Sequence, residues 1–517
     1  ELTMCGIVGY VGAQQAAPIL LEGLQKLEYR GYDSAGIAVL DGSTIELAKA
    51  CGEIKNLLAK THDGSDLHGY IGLGHTRWGT HGAPTEANAH PHVSNDGKFA
   101  IVQNGIIENF MELREMLQAK GFRFHSETDT EVIVHLLDMY YTGDGNLKDT
   151  VLKTLGRLEG SYAIGILCAD CPEQMFLARN GCPLIIGVGA GENFFASDVT
   201  ALVSHTKNVV YLDDGELAEV RADGYTVFDC TGKPIEKPVS RVAWDIEAAE
   251  KGGYEHFMLK EIMEQPRAIK STLDPRVKDH RVVFDELKMT DAQLMGFNKI
   301  MITACGSAFY AGQAGKYALE KLTHIPVDAD LASEFRYRDP IVDEHTLMII
   351  ISQSGETADT IAAIREAQSK GAYVLSIVNV VGSTIARISD DVIYTWAGPE
   401  IAVATTKGYT TQVSVLYLLA LYLGEKRGCL SREEAAKLTD DLMILPQMVQ
   451  RAIDLNPQIA QLAERYKNNP SLFFIGRNVD YAVCMEGSLK LKEISYLHSE
   501  AYAAGELKHG TIALIEE

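Results

Sequence analysis

The sequence predicts a chain of two textures: layered antiparallel α+β in the first half, then an α/β doubly wound parallel sheet. Residues 5 to about 240 hold short apolar runs divided by Gly, Asn and Asp turns. From about residue 298, strand-like and helix-like patterns alternate, which implies parallel strands joined by crossover helices. At 517 residues the chain is too long for one core, and about three domains are expected.

In the first half, Ile7-Val8-Gly9-Tyr10-Val11, Gly36-Ile37-Ala38-Val39-Leu40, Phe99-Ala100-Ile101-Val102 and Ala163-Ile164-Gly165-Ile166-Leu167 read as strands. Two helices are expected among them, from Ala17 to Leu27 and from Glu127 to Tyr140, the second capped by Ser126 or Thr128. Paired strands with few crossover helices predict antiparallel sheets in layers. Residues 230–250 read as a linker, because Thr231-Gly-Lys-Pro234 and Lys237-Pro238 break regular structure. A helix from Tyr254 to Gln265 is expected to end before Pro266.

In the second half, strands at Lys299 to Ser307, Leu347 to Ile351 and Tyr373 to Val378 each lead into a helical pattern, such as Ala358 to Ser369. A weak repeat follows: Leu472 to Arg477 resembles Ile300 to Gly306, with a helix from Ala482 to about Leu497. The expected divisions are 5–240, a linker and helical connection at 241–290, a domain at 291–445 and the start of a second copy at 456–517. A copy of little more than one unit leaves edges and faces uncovered, so the chain is expected to lack its natural C-terminus.

The net charge of -23 and the absence of a basic stripe argue against a nucleic-acid partner. Neither a secretory signal nor an apolar run of about 18 residues is found, so no membrane partner is expected. Nine scattered Cys suit a reducing cytoplasm, and the protein is expected to be cytoplasmic. Cys168-Ala-Asp-Cys171 has metal-like spacing but no second pair, and reads as a turn before Pro172. His75, His81, His90 and His92 fit no helical ligand pair, so no metal or other cofactor is expected.

Two places carry chemistry. Cys5 follows Met4, and if residues 1–4 are removed it becomes the first residue. It then holds a thiol nucleophile and an α-amino base together, as amide cleavage requires. A small buried thiol at a strand start is the bland alternative. In the second half, Ser352, Ser354 and Thr357 gather three hydroxyls where a strand turns into a helix. Such a helix start suits a phosphate through free amides and the helix dipole, although Ser and Thr also serve as plain caps.

Seven segments in this order resemble the isomerising glutamine:fructose-6-phosphate aminotransferases, the glucosamine-6-phosphate synthases. They are Cys5-Gly-Ile-Val-Gly9, Leu27-Glu-Tyr-Arg-Gly-Tyr-Asp-Ser34, His75-Thr-Arg-Trp-Gly-Thr-His-Gly82, Asn104-Gly-Ile-Ile-Glu-Asn109, Ser352-Gln-Ser-Gly-Glu-Thr357, and Leu489-Lys-Leu-Lys-Glu-Ile-Ser495 with Ala503-Ala-Gly-Glu-Leu-Lys-His509. The resemblance implies an N-terminal-nucleophile αββα sandwich followed by sugar-isomerase (SIS) domains. It implies that Cys5 attacks glutamine, with Asn104 and Gly105 as the oxyanion hole. Arg77 would pair with the glutamine carboxylate and Asp129 with its ammonium, while Trp78, Thr80 and His81 line the pocket. Ser352, Gln353, Ser354 and Thr357 would bind the phosphate of fructose 6-phosphate, with Ser307 near the sugar. Glu493 would move a proton between C1 and C2, assisted by Lys490, and His509 would come from the neighbouring subunit of a homodimer to open the ring.

Three departures stand out. Glu1-Leu2-Thr3-Met4 would block the amine of Cys5 if retained; Ala308 stands where the family carries a hydroxyl; and the family's tail lysine is missing. The rival readings are another glutamine amidotransferase or glutaminase, and a non-enzymatic sugar-phosphate-binding regulator.

Overall fold

The computed structural model describes residues 5–28, 33–79, 81–143, 146–242 and 251–515. The chain divides into two compact units that meet in sequence near Ile246.

The first unit is a four-layer sandwich. An eight-stranded sheet carries, as central neighbours, the strands Asn193–Ala196, Gly6–Val11, Ile71–Arg77 and Ser34–Asp41. A seven-stranded sheet is built around Gln174–Asn180, Gly160–Cys168 and Phe99–Ile107. The described pairings in both sheets are antiparallel. Strand alternation fills the space between the sheets. Ile7 and Val11, Ile71 and Leu73, and Ala100 and Val102 share one apolar layer. The opposite face of the eight-stranded sheet packs on the helix Ala16–Leu27. The outer face of the seven-stranded sheet is covered by the helices Phe110–Ala119, Glu131–Tyr140 and Leu147–Leu155.

Phe195 fixes the spacing of this unit. It pairs with Gly9 across the strands, and a Cβ on Gly9 would stand 1.8 Å from the ring. On the facing sheet, a Cβ on Gly165 would come within 2.7 Å of the same ring. The glycines are therefore the space that the ring occupies.

The second unit is built on a five-stranded parallel sheet. Its order is Val327–Leu331, Lys299–Ala304, Thr346–Ser352, Tyr373–Val378 and Asp391–Tyr394. Both faces are buried, one under the helices Gly306–Thr323 and Lys407–Lys426 and the other under Ala358–Ser369. Beyond them, Ser471–Gly476, the helix Val479–Ser495 and His498–Ala503 form a β-α-β unit with its two strands parallel.

Several expectations need correction. The helix expected from Glu127 begins at Glu131, because the Ser126 and Thr128 hydroxyls bond each other at 2.9 Å instead of capping it. The helix expected to stop before Pro266 runs on as Phe257–Leu273. Proline offers no N–H to the carbonyl of Ile262, and the Gln265 side-chain amide donates to it instead at 3.1 Å. Ile269 and Leu273 of this helix lie in the core of the second unit. Pro234–Ile235 and Ser240–Arg241, inside the stretch read as a linker, are edge strands of the two sheets; residues 243–250 lie outside the described residues. Cys168 and Cys171 close a turn through a backbone bond of 3.1 Å.

A methyl group at Gly9 should cost about 1–3 kcal/mol through overpacking. Gly9→Ala is expected to lower the melting temperature of the first unit, and Gly9→Ala with Phe195→Leu to recover part of the loss in scanning calorimetry.

Candidate functional site

In the first unit, strand parity gathers the site. Cys5 lies two residues before Ile7, His75 and Arg77 two and four after Leu73, and Asn104 two after Val102, so all share the parity of the inner face. The Cys5 Sγ accepts from the Trp78 backbone N–H at 3.2 Å. Burial pushes the Cys5 thiol up, with the Trp78 amide and Arg77 opposing. The thiol therefore stays protonated at neutral pH and needs a base to act.

The Asn104 Nδ2 donates to the Cys5 carbonyl at 2.8 Å. Its Oδ1 faces His75 Nε2 at 3.1 Å. Gly105 follows with φ +102°, where a Cβ would stand 2.1 Å from the Ser161 carbonyl, so only glycine holds this bend.

Arg77 is buried, and its guanidinium donates to the carbonyls of His81, Gly82 (3.1 Å) and Ala83 (3.4 Å), with Asp33 at 3.5 Å. It holds the 81–83 loop as a staple. Asp33 also accepts from the Gly79 N–H at 2.6 Å, which anchors the segment bearing Trp78. Trp78 is exposed, and Thr80 and residues 29–32 lie outside the described residues. Asp129 is buried; one oxygen accepts from Ile107 N–H at 2.8 Å and the other stands 3.9 Å from His81 Nδ1. Burial raises the Asp129 carboxyl, against the Ile107 amide and His81. Burial alone would also raise Glu131. His135, 3.5 Å away, with bonds from the Ser126 hydroxyl and the amides of His125 and Ser126, instead holds it at about 2, so a firm carboxylate anchors the loop carrying Asp129.

In the second unit, the strand order reverses between Lys299–Ala304 and Thr346–Ser352, and ligands of such sheets sit at the carboxyl ends there. The Ser352–Thr357 turn and the turn at Cys305 that opens Gly306–Thr323 both leave from this point. The Ser352 hydroxyl accepts from Gly355 N–H at 3.0 Å and meets the Thr357 hydroxyl at 3.2 Å, while Ser354 accepts from Glu356 N–H at 3.2 Å. Thr357 is the N-cap residue of Ala358–Ser369, but its side chain makes no capping bond to the helix. Gln353 lies beside Gly408 in this turn.

Ser307 is buried in the first turn of Gly306–Thr323 and faces Glu486 of Val479–Ser495. On that helix Glu486, Lys490 and Glu493 stand four and three residues apart, on one face. Lys490 Nζ is 2.5 Å from Glu493 and 3.5 Å from Glu486. Burial, against the pull of Lys490 and Ser307, raises Glu486 to about 7. His509 lies in an exposed turn, apart from this group in hydrogen bonding. Among the described residues, no three or more His, Cys, Asp or Glu are placed to hold a metal ion.

The glutamine amidotransferase domain family matches residues 49–233, and the SIS domain family matches 293–422 and 466–517. The glutamine–fructose-6-phosphate aminotransferase [isomerizing] of Caldanaerobacter subterraneus subsp. tengcongensis is 54% identical over 515 residues, 99% of this chain and 84% of its own length. That of Thermus thermophilus is 47% identical over 514 residues, with the same coverage. This chain belongs to the isomerising glutamine–fructose-6-phosphate aminotransferase family. The solved C-terminal domain of glucosamine-fructose-6-phosphate aminotransferase from Francisella tularensis is also similar, at 40% identity and a TM-score of 0.50 over 52% of this chain and 75% of that one.

Sequence reasoning on this family member missed Asp33, Gln103 and Glu486. Glu486 had a signal, since it shares the helical face of Lys490 and Glu493 at spacings of four and seven. A carboxyl raised from its ordinary 4.5 to about 7 holds its proton in the folded state where the unfolded chain has lost it. Its stabilising contribution is full below 4.5 and lost as pH rises through 7. Glu486→Gln should therefore melt like the parent near pH 5 and at a higher temperature near pH 8 in pH-dependent calorimetry.

Proposed function

We propose that the protein uses glutamine to aminate and isomerise fructose 6-phosphate to glucosamine 6-phosphate. The observation that carries this reading is the Asn104 amide lying against Cys5 while Gly105 bends the strand beside it. With Cys5 as first residue, its α-amine takes the thiol proton, since burial keeps the thiol from ionising alone. Sγ attacks the side-chain carbonyl of glutamine, and Asn104 Nδ2 with the Gly105 N–H receives the oxyanion. Ammonia leaves as the C–N bond breaks, and water then hydrolyses the glutamyl thioester. The Asp129 oxygen that stands 3.9 Å from His81 suits the substrate ammonium. Arg77, holding the 81–83 loop, suits its carboxylate, and Trp78, Thr80 and His81 line the pocket.

The ammonia passes within the enzyme to the sugar site. There Ser352, Gln353, Ser354 and Thr357 hold the phosphate. Thr357 leaves the first amides of Ala358–Ser369 without a side-chain cap, which favours the anion over the plain-cap reading. Glu493 shuttles the proton between C1 and C2, with Lys490 at 2.5 Å to stabilise its charged form and Glu486 and Ser307 beside them. The exposed His509 opens the sugar ring of a neighbouring subunit, so the working form is a homodimer. The regulator reading would leave the glutamine site without a purpose.

Cys5→Ala should abolish glutamine hydrolysis and leave fructose 6-phosphate binding unchanged; residual hydrolysis would refute the role of Cys5. Ser352→Ala and Ser354→Ala should each weaken fructose 6-phosphate binding about ten-fold in calorimetry, since bonds to a charged acceptor contribute about 1.5–3 kcal/mol. Unchanged affinity would place the phosphate elsewhere.

A further inference from the structure

We propose that His75, supported by Gln103, His90 and Thr130, is a positioning residue that turns the Asn104 amide so its N–H donors face the glutamine carbonyl. The inference rests on the glutamine-site reading above and adds a set of residues to it.

His75 Nε2 lies 3.1 Å from Asn104 Oδ1 and 3.1 Å from the Gln103 carbonyl. Both oxygens can only accept, so Nε2 carries the proton and donates to both. With Oδ1 occupied, Nδ2 must point away from His75, and it meets the Cys5 carbonyl at 2.8 Å. A flipped amide would set N–H against N–H at His75 and oxygen against oxygen at Cys5. Neither clash could be relieved by water, because His75 is fully buried and Asn104 nearly so.

The surrounding bonds run in one consistent direction. The Gln103 N–H reaches His90 Nδ1 at 3.4 Å, which makes His90 Nε2 the donor to the Thr130 hydroxyl at 3.2 Å. Thr130 in turn donates to Gln103 Oε1 at 2.6 Å, leaving the Gln103 amide N–H to donate to the Asn104 carbonyl at 3.0 Å. Asn104 is thus held at its side chain and its main chain. The His75 ring is fixed by stacking on His90, with centroids 4.2 Å apart, and His90 packs edge-on to His92 at 4.8 Å. Burial lowers His75 to about 3 and His90 and His92 well below the ordinary value, so each ring keeps one lone pair and one N–H. A charged His75 would add a donor at Nδ1, where no acceptor stands.

The test uses the full chain with Cys5 at its N-terminus and three variants: Asn104→Ala, His75→Phe and His75→Gln. Phe keeps the stacked ring but donates nothing; Gln places an N–H near the position of Nε2. Glutamate formation is measured over a range of glutamine, together with alkylation of Cys5 by iodoacetamide, which builds no oxyanion on a carbonyl. His75→Phe should lose about 10- to 100-fold in kcat, somewhat less than deletion of an oxyanion donor, with KM within about two-fold. Its alkylation rate should match the parent, and His75→Gln should recover part of kcat. A His75→Phe enzyme with parental kcat, beside an inactive Asn104→Ala, would overturn the positioning role and leave the glutamine site standing. An Asn104→Ala enzyme with near-parental kcat would overturn the site reading itself. Loss of kcat and alkylation together, without recovery in His75→Gln, would assign His75 to the fold alone and refute the proposal.

Discussion

The bond from His75 Nε2 to Asn104 Oδ1 joins the two sheets of the first unit at the end where Cys5 emerges. Each partner sits on the inner face of its own sheet, and the layer between the sheets is apolar up to that point. An unmatched amide there would cost about 1–3 kcal/mol, so the pairing admits one arrangement. The spacing set by Phe195 between Gly9 and Gly165 brings the sheets to the separation that this bond spans. Packing in the middle of the sandwich and polarity at its end are thus two parts of one constraint. An oxyanion donor oriented before substrate arrives needs no reorganisation during the reaction.

The second unit reaches the same end by different means. Its strands are buried on both faces, so side chains on them can only pack, and the chemistry moves to the turns at the carboxyl edge. The Ser352–Thr357 turn offers hydroxyls and uncapped helix amides to an anion, whereas Val479–Ser495 offers carboxylates and a lysine on one face. Hydroxyls at a helix start, and carboxylates with a lysine on one helix face, are the side-chain types that a phosphorylated sugar exchanging carbon-bound protons requires. Burial raises Glu486 towards neutrality, while Glu493 lies 2.5 Å from Lys490 on the same helix face.

Much of this was legible because period and punctuation are local. The apolar run at Tyr373 to Val378 is the strand Tyr373–Val378, and the pattern from Ala358 to Ser369 is the helix Ala358–Ser369. The layered first half and the parallel second half follow from the same signals. Phe110–Ala119 was not legible, since only Leu113 and Leu117 are buried and no side chain caps its start. Pro266 misled because the remedy, an amide from Gln265, lies in tertiary placement of a side chain. In the sites, motif residues such as Cys5, Arg77 and Ser352 could be named from sequence, but their partners could not. The Arg77 guanidinium donates to loop carbonyls, and the direction of the Asn104 amide depends on a histidine from the other sheet. The first set of contacts closes an irregular loop four to six positions on, and the second joins strands twenty-nine positions apart, so neither leaves a periodic spacing to read.

The proposed cleavage of glutamine runs through a covalent bond to Cys5. The direct measurement is mass spectrometry of protein with Cys5 at its N-terminus, mixed with glutamine, quenched in acid within the first turnover and digested. A glutamyl adduct is expected on the peptide that begins at Cys5, lost on treatment with hydroxylamine. Glutamate accumulating with no adduct on Cys5 at any time, or an adduct confined to another of the nine cysteines, would contradict it.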